Sequence, residues 1–174
     1  MSEKIEYIHE PKLTKGNAFY DHRGVFVPLS LTSHLTWYQS NISVNPKRLT
    51  LRGLHFQLPP FDQTKLIKLI DGSIIDFVVD IRKDSPNYKE LYIYDMEPGD
   101  ELYVPKGFAH GFITTKDNTI VQYLVDNVYS PESEGSIVWT KFLPLMQKFN
   151  TIEDFNVHDI IINDKDLVTK NFND

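Results

Sequence analysis

Apolar segments of four to eight residues, rich in Val, Ile, Tyr and Phe, recur along the chain between clusters of Gly, Pro, Asp and Asn. That punctuation predicts short antiparallel strands rather than long helices. Residues 39–44 set Gln39, Asn41 and Ser43 against Ser40, Ile42 and Val44, which predicts a strand with one polar face, ended by Asn45-Pro46. Residues 49–57 form the next, closed by Pro59-Pro60, and residues 65–70 and 73–81 flank Asp71-Gly72, a preferred two-residue turn, so they read as a hairpin. Further strands are predicted at 90–95, 101–104, 109–114, 119–128 and 136–139, and residues 19–26 turn through Asp21 and Gly24 into a short strand. Residues 32–38 read as a short helix or irregular segment, residues 145–149 as helical, and the tail from Ile160 as mixed and acidic. About ten short strands predict an all-β jelly-roll barrel with a few short helices, mainly toward the C-terminus, and one end open to a small ligand.

Composition narrows the function classes. The 174 residues are expected to form a single domain over 1–174, with a short N-terminal arm and a variable C-terminal tail. A formal charge of −6 argues against a nucleic-acid-binding surface. The absence of cysteine excludes disulfides and thiolate metal sites. No apolar run has the length of a membrane span and no leader is evident, so the expectation is a cytoplasmic protein without membrane contact. Three of the four arginines (Arg23, Arg48, Arg52) lie in the first third, which suggests local anion binding.

Two stretches carry candidate chemistry. Arg52-Gly53-Leu54-His55-Phe56-Gln57 places a cation, a permissive glycine and an imidazole on an otherwise apolar strand, where unpaired polar groups are costly. Residues 104–112 deliver a second imidazole, His110. Alternation puts Arg52 and His55 on opposite faces, so both reach one pocket only if Gly53 carries a bulge. A lone His in a strand is more often structural than functional. Lys65 reads also as a solvated strand end, Tyr123 as a core or rim tyrosine, and Asp166 is indistinguishable from Asp164. Gly99, Pro105, Gly107 and His110 fit half of a metal-binding cupin pattern, but the other half reads His55-Phe56-Gln57 with no glutamate until Glu90. That donor set falls short of a three-ligand site, and no metal is expected.

A resemblance rests on motifs that occur in order: Asp21-x-Arg23-Gly24-x-Phe26, Gln39-x-Asn41, residues 52–57, Gln63-x-Lys65-Leu66, Val79-Asp80-x-Arg82-x-x-Ser85-Pro86, and Pro105-x-Gly107-Phe108-Ala109-His110-Gly111-Phe112. With Tyr123, Tyr129-x-Pro131-x-x-Glu134 and Ile137-x-Trp139, residues 19–139 resemble the dTDP-4-dehydrorhamnose 3,5-epimerase family. The resemblance implies a metal-free, cofactor-free cupin epimerase of a nucleotide-linked 4-keto-6-deoxy sugar, pairing as a homodimer. It implies His55 as general base, Tyr123 as proton donor, Lys65 near the keto oxygen and Asp166 as the partner of the histidine. Arg52 and His110 match positions around the diphosphate and sugar; Phe19, Arg23, Gln39, Asn41 and Tyr129 match positions around the nucleotide. Three departures stand out: Pro28 replaces a family Glu, Trp139-Thr140-Lys141 replaces Trp-Asn-Asp, and residues 142–159 do not follow the pattern.

These residue types suit the chemistry. Hydrogens on C3 and C5 flank the C4 ketone, so their removal gives an enolate that can be reprotonated on the other face. A base, an opposed acid and a cation at the oxygen meet that need. Competing readings are a 3,4-ketoisomerase, which carries His-x-His where this chain has His55-Phe56-Gln57, a non-catalytic sugar-nucleotide-binding barrel, and a metal-dependent cupin oxygenase.

Overall fold

The computed structural model describes residues 9–22, 24–28, 36–142 and 156–172. Within them the strands are β1 (Lys12–Thr14), β2 (Phe19–Asp21), β3 (Gly24–Phe26), β4 (Gln39–Asn45), β5 (Leu51–Gln57), β6 (Lys65–Asp71), β7 (Ile74–Asp80), β8 (Leu91–Met96), β9 (Glu101–Val104), β10 (Phe108–Thr114), β11 (Thr119–Val125) and β12 (Glu134–Ser136). The described helices are short 3-10 turns at Trp139–Phe142, Val157–Asp159 and Asp164–Leu167. None is long and apolar enough to cross a membrane. One five-stranded sheet runs β1-β9-β6-β11-β4 and faces another ordered β12-β5-β10-β7-β8, while β2 and β3 form a separate hairpin. This is the jelly-roll architecture that the strand pattern predicts.

The second sheet is covered on both faces, which explains why Ile74-Ile75-Asp76-Phe77-Val78-Val79, apolar but for Asp76, is buried throughout. Ile75, Phe77 and Val79 pack outward against Ile137, Trp139, Ile160, Ile162 and Phe172 from the C-terminal segment. Ile74 and Val78 pack inward against Ile67, Leu69, Leu102 and Val121 of the first sheet. Each such side chain, fully buried, contributes about 1.5–3 kcal/mol. The tail is therefore fastened down, with its backbone bridging Thr50 at Ile161 and Ser136 at Lys170.

The predicted hairpin over 65–81 is a correction. β6 pairs with β9 and β11, whereas β7 pairs with β8 and β10, so the two strands never pair with each other. Asp71-Gly72 is instead a corner that carries the chain from one sheet to the other. A tight turn reverses direction locally; whether the joined strands pair edge to edge or stack face to face depends on where their apolar sides are buried. Here Ile67 and Leu69 stack on Ile74 and Val78.

Smaller differences follow local geometry. The strand expected at 49–57 starts at Leu51, because Leu49 adopts φ +60°. Trp139 lies in a 3-10 turn rather than a strand. β1, with no alternation to announce it, is held by its antiparallel pairing with β9. Residues 36–38 carry no regular structure, and the helix expected at 145–149 lies outside the described residues, as does the rest of the 32–38 segment.

Candidate active site

β5 and β10 are neighbours, and His55 lies directly opposite His110 in their register. Two residues along β10, Phe112 opposes Arg52, three residues back along β5. The extra residue is a bulge at Gly53-Leu54, and it turns Arg52 and His55 toward one space. Gly53 adopts φ +102°, and a Cβ on it would lie 2.6 Å from the His110 carbonyl oxygen. A Cβ on Gly111 would lie 2.6 Å from the Arg52 carbonyl oxygen. The bulge thus needs glycine on both strands.

A cavity of about 580 Å³ opens beside this bulge, and Arg52, His55, Lys65, His110, Tyr123 and Asp166 all line it. His55 and His110 enter from one sheet; Lys65, at the start of β6, and Tyr123, on β11, enter from the other. The C-terminal segment contributes Asp166, on the 3-10 turn Asp164–Leu167, whose first residue follows the capping Asn163. Asp164 is exposed and Asp166 is buried, which separates two acids that look alike in the sequence.

His55 Nε2 lies 2.7 Å from Asp166 Oδ1, and the Gly53 backbone N–H donates to Asp166 Oδ2 at 3.2 Å. A carboxylate only accepts, so Nε2 carries the proton, and in the neutral imidazole the lone pair lies on Nδ1. Burial disfavours the Asp166 charge, but the hydrogen bond and charge of His55 and the Gly53 N–H outweigh it and hold its pKa below the ordinary value. His110 Nε2 lies 2.8 Å from Asp76 Oδ2. There burial wins: the Asp76 pKa is raised, despite the opposing pull of His110 and Lys65.

Lys65 Nζ donates to the His55 carbonyl at 3.3 Å. Burial lowers its pKa to about 8, against the opposing pull of Asp76 and Glu134. Burial raises the Tyr123 phenol above its ordinary pKa, with the Arg52 charge acting the other way. The phenol is therefore protonated at neutral pH and available as a donor.

Other candidates lie elsewhere. Phe19 is exposed on the β2–β3 hairpin, and Tyr129 is exposed with its hydroxyl donating to Glu134 Oε2 at 3.1 Å. Gln39 and Asn41 sit on the edge strand β4, bonded to one another at 2.6 Å. None of these four lines the cavity. Arg23 lies outside the described residues. Sequence reasoning missed Asp76, although a carboxylate inside a six-residue apolar run is a readable sign of a buried, partnered acid. It also missed Lys165, which lines the cavity beside Asp166, and Asn45, which holds Arg52. Among the described residues no three His, Asp or Glu side chains are grouped to hold a metal ion.

Comparison with known proteins gives a consistent set of matches. The family model for dTDP-4-dehydrorhamnose 3,5-epimerase matches residues 6–174, including the stretch beyond Trp139 that departs from the expected motifs. The chain is similar to the dTDP-4-dehydrorhamnose 3,5-epimerase of Sinorhizobium fredii, at 38% identity over 144 residues, covering 76% of this chain and 72% of that one. Its fold is similar to that of the Bacillus anthracis dTDP-4-dehydrorhamnose 3,5-epimerase with TDP and PPi bound (TM-score 0.75, 35% identity, 96% of this chain and 97% of that one). It is also similar to a Legionella pneumophila dTDP-6-deoxy-D-glucose-3,5-epimerase in complex with dTDP-4-keto-L-rhamnose (TM-score 0.74, 27% identity, 92% and 87% covered).

Proposed function

We propose, because this chain belongs to the dTDP-4-dehydrorhamnose 3,5-epimerase family, that its cavity inverts C3, C5 or both of a dTDP-linked 4-keto-6-deoxy sugar. The observation that carries the reading is a histidine bonded through Nε2 to a buried carboxylate and a protonated phenol, lining one cavity from opposite sheets. His55, oriented by Asp166, removes the proton next to the ketone through Nδ1. The electron pair moves into the C–C bond as the carbonyl becomes an enolate, and Lys65 stabilises the oxygen charge. Tyr123 then returns a proton to the opposite face. Each positioned acid or base contributes about 10²–10⁴-fold. The chemistry needs no cofactor, since the ketone itself acidifies both hydrogens.

Arg52, reinforced by His110, holds the diphosphate, so that binding energy remote from the ring orients it for reaction. We assign Phe19, Arg23, Gln39, Asn41 and Tyr129 to the nucleotide, in a site completed by a second copy of the chain. Support for a homodimer comes from the exposed apolar side chains of Phe19 and Phe26 on the β2–β3 hairpin, at 58% and 68% exposure. A cytoplasmic location belongs to the same proposal.

Incubation with dTDP-4-keto-6-deoxyglucose in deuterated water, followed by NMR, tests the activity. Deuterium at C3 or C5 with inverted configuration is expected. A product with the keto group moved to C3 would replace the epimerase reading with a ketoisomerase.

A further inference from the structure

Asn45 ends β4 and is completely buried. A buried side-chain amide must place two donors and an acceptor, or its desolvation goes uncompensated. Its Nδ2 donates to the carbonyl oxygens of Thr119 at 3.1 Å and Ser43 at 3.3 Å. Both N–H groups are thereby used, which settles which end of the amide is oxygen. Oδ1 accepts the Arg52 Nε–H at 2.8 Å and the Ser43 hydroxyl at 3.2 Å. The contact crosses between sheets, from the edge strand of one to β5 of the other.

The consequence lies in the shape of the guanidinium. Its five N–H groups form a rigid fork that can grip an anion along the side, through Nε and one Nη, or at the end, through both Nη. Asn45 occupies Nε and closes the side. The Nη groups make no hydrogen bond among the described residues, and Arg52 lines the cavity. Its charge also reaches the Tyr123 phenol, where it offsets part of the effect of burial. Arg52 is itself exposed, so without a tether its long side chain would sample many rotamers.

We propose that Asn45 is a positioning residue that aims the Arg52 fork end-on into the cavity, at the oxygens of the diphosphate. The proposal rests on the reading above that Arg52 holds that group. A strand end needs no amide for packing alone, and this one spends its acceptor on the guanidinium.

A double-mutant cycle read by calorimetry with dTDP tests it. Arg52→Ala is expected to weaken binding more than tenfold, and Asn45→Ala by about 5–10-fold, the scale of one ordinary hydrogen bond. In the double variant, affinity should stay within twofold of Arg52→Ala, because the amide has nothing left to aim. Effects that multiply, or an Asn45→Ala protein that binds like the wild type beside a weakened Arg52→Ala, overturn the positioning role alone. An Arg52→Ala protein with full affinity overturns the phosphate reading and this inference together. Should Asn45→Ala fail to fold, Arg52→Lys gives the answer, since it keeps the charge without the planar fork. A loss of tenfold or more supports an aimed fork, and affinity within twofold of wild type excludes one.

Discussion

The two His–Asp pairs of the cavity are built from the same residue types and stand side by side, yet they are supported in opposite ways. Asp76 comes from the strand next to His110, is wholly buried, and leaves Oδ1 without a partner among the described residues. Asp166 comes from a distant turn, and both of its oxygens are engaged, one by His55 and one by the Gly53 N–H. Burial acts on both carboxylates, most heavily on Asp76; at Asp166 the Gly53 N–H and the Lys165 charge add to the pull of His55, and the outcome is reversed. An ionised carboxylate on Nε2 orients His55 for its proposed role, whereas the His110 pair sits where negative charge is expensive.

Exchanging the acids for amides should break this comparison most sharply. Asp166→Asn is expected to lower kcat by about 10²–10⁴-fold, because an amide can donate to Nε2 and leave the proton on Nδ1, the wrong tautomer for a base. Asp76→Asn should cost about tenfold or less, since it removes support from a residue that does not take the proton. Rates of deuterium wash-in measure both, and equal losses would refute the division of roles.

The pH profile sharpens it from the other side of the cavity. Lys65 carries its charge below about pH 8, so kcat/KM should fall as pH rises through that value. Lys65→Arg should remove the fall up to the region where tyrosine ionises, above about pH 10. Stability should move oppositely. The folded pKa lies below the ordinary 10.5, so the unfolded chain binds more protons between about 8 and 10.5 and stability rises with pH across that window. Urea midpoints that fall there would contradict the burial of this ammonium.

The smallest effect is the most diagnostic of the two acids. With a folded pKa below 3.8, Asp166 contributes stability that is complete above 3.8 and is lost as pH drops through the folded value. Asp76, with its folded pKa above 3.8, contributes stability that is complete below 3.8 and is lost as pH climbs through the folded value. The difference in urea midpoint between wild type and Asp166→Asn should therefore shrink on acidification. For Asp76→Asn the wild type should gain on its variant on acidification, and parallel trends would erase the distinction.

Much of the site can be read from the chain in one dimension. The clash between strict alternation and a shared pocket for Arg52 and His55 already demands a bulge at Gly53, and the register shift opposite His110 and Phe112 supplies it. His55 and His110 lie on strands whose apolar character is plain from composition. Asp71-Gly72 is plain as a turn too, but not as a corner between sheets, because partner choice depends on faces buried far away in the chain. Asp166 and Asp164 look alike until the tail packs under Thr50 and Ser136 and turns one inward. Asn45 reads as a strand terminator, and only the approach of β5 makes its amide a holder of Arg52.

The sequence by itself determined the all-β character, the strands that carry the histidines, the need for glycine at the bulge and the family. Those features follow from neighbours within a few residues, where side-chain alternation and backbone sterics act directly. Tertiary structure alone decided which strands pair, which acid serves which imidazole and how the arginine is aimed. Those outcomes depend on burial and hydrogen bonding between segments as far apart as 113 residues, and no local pattern encodes a partner's position.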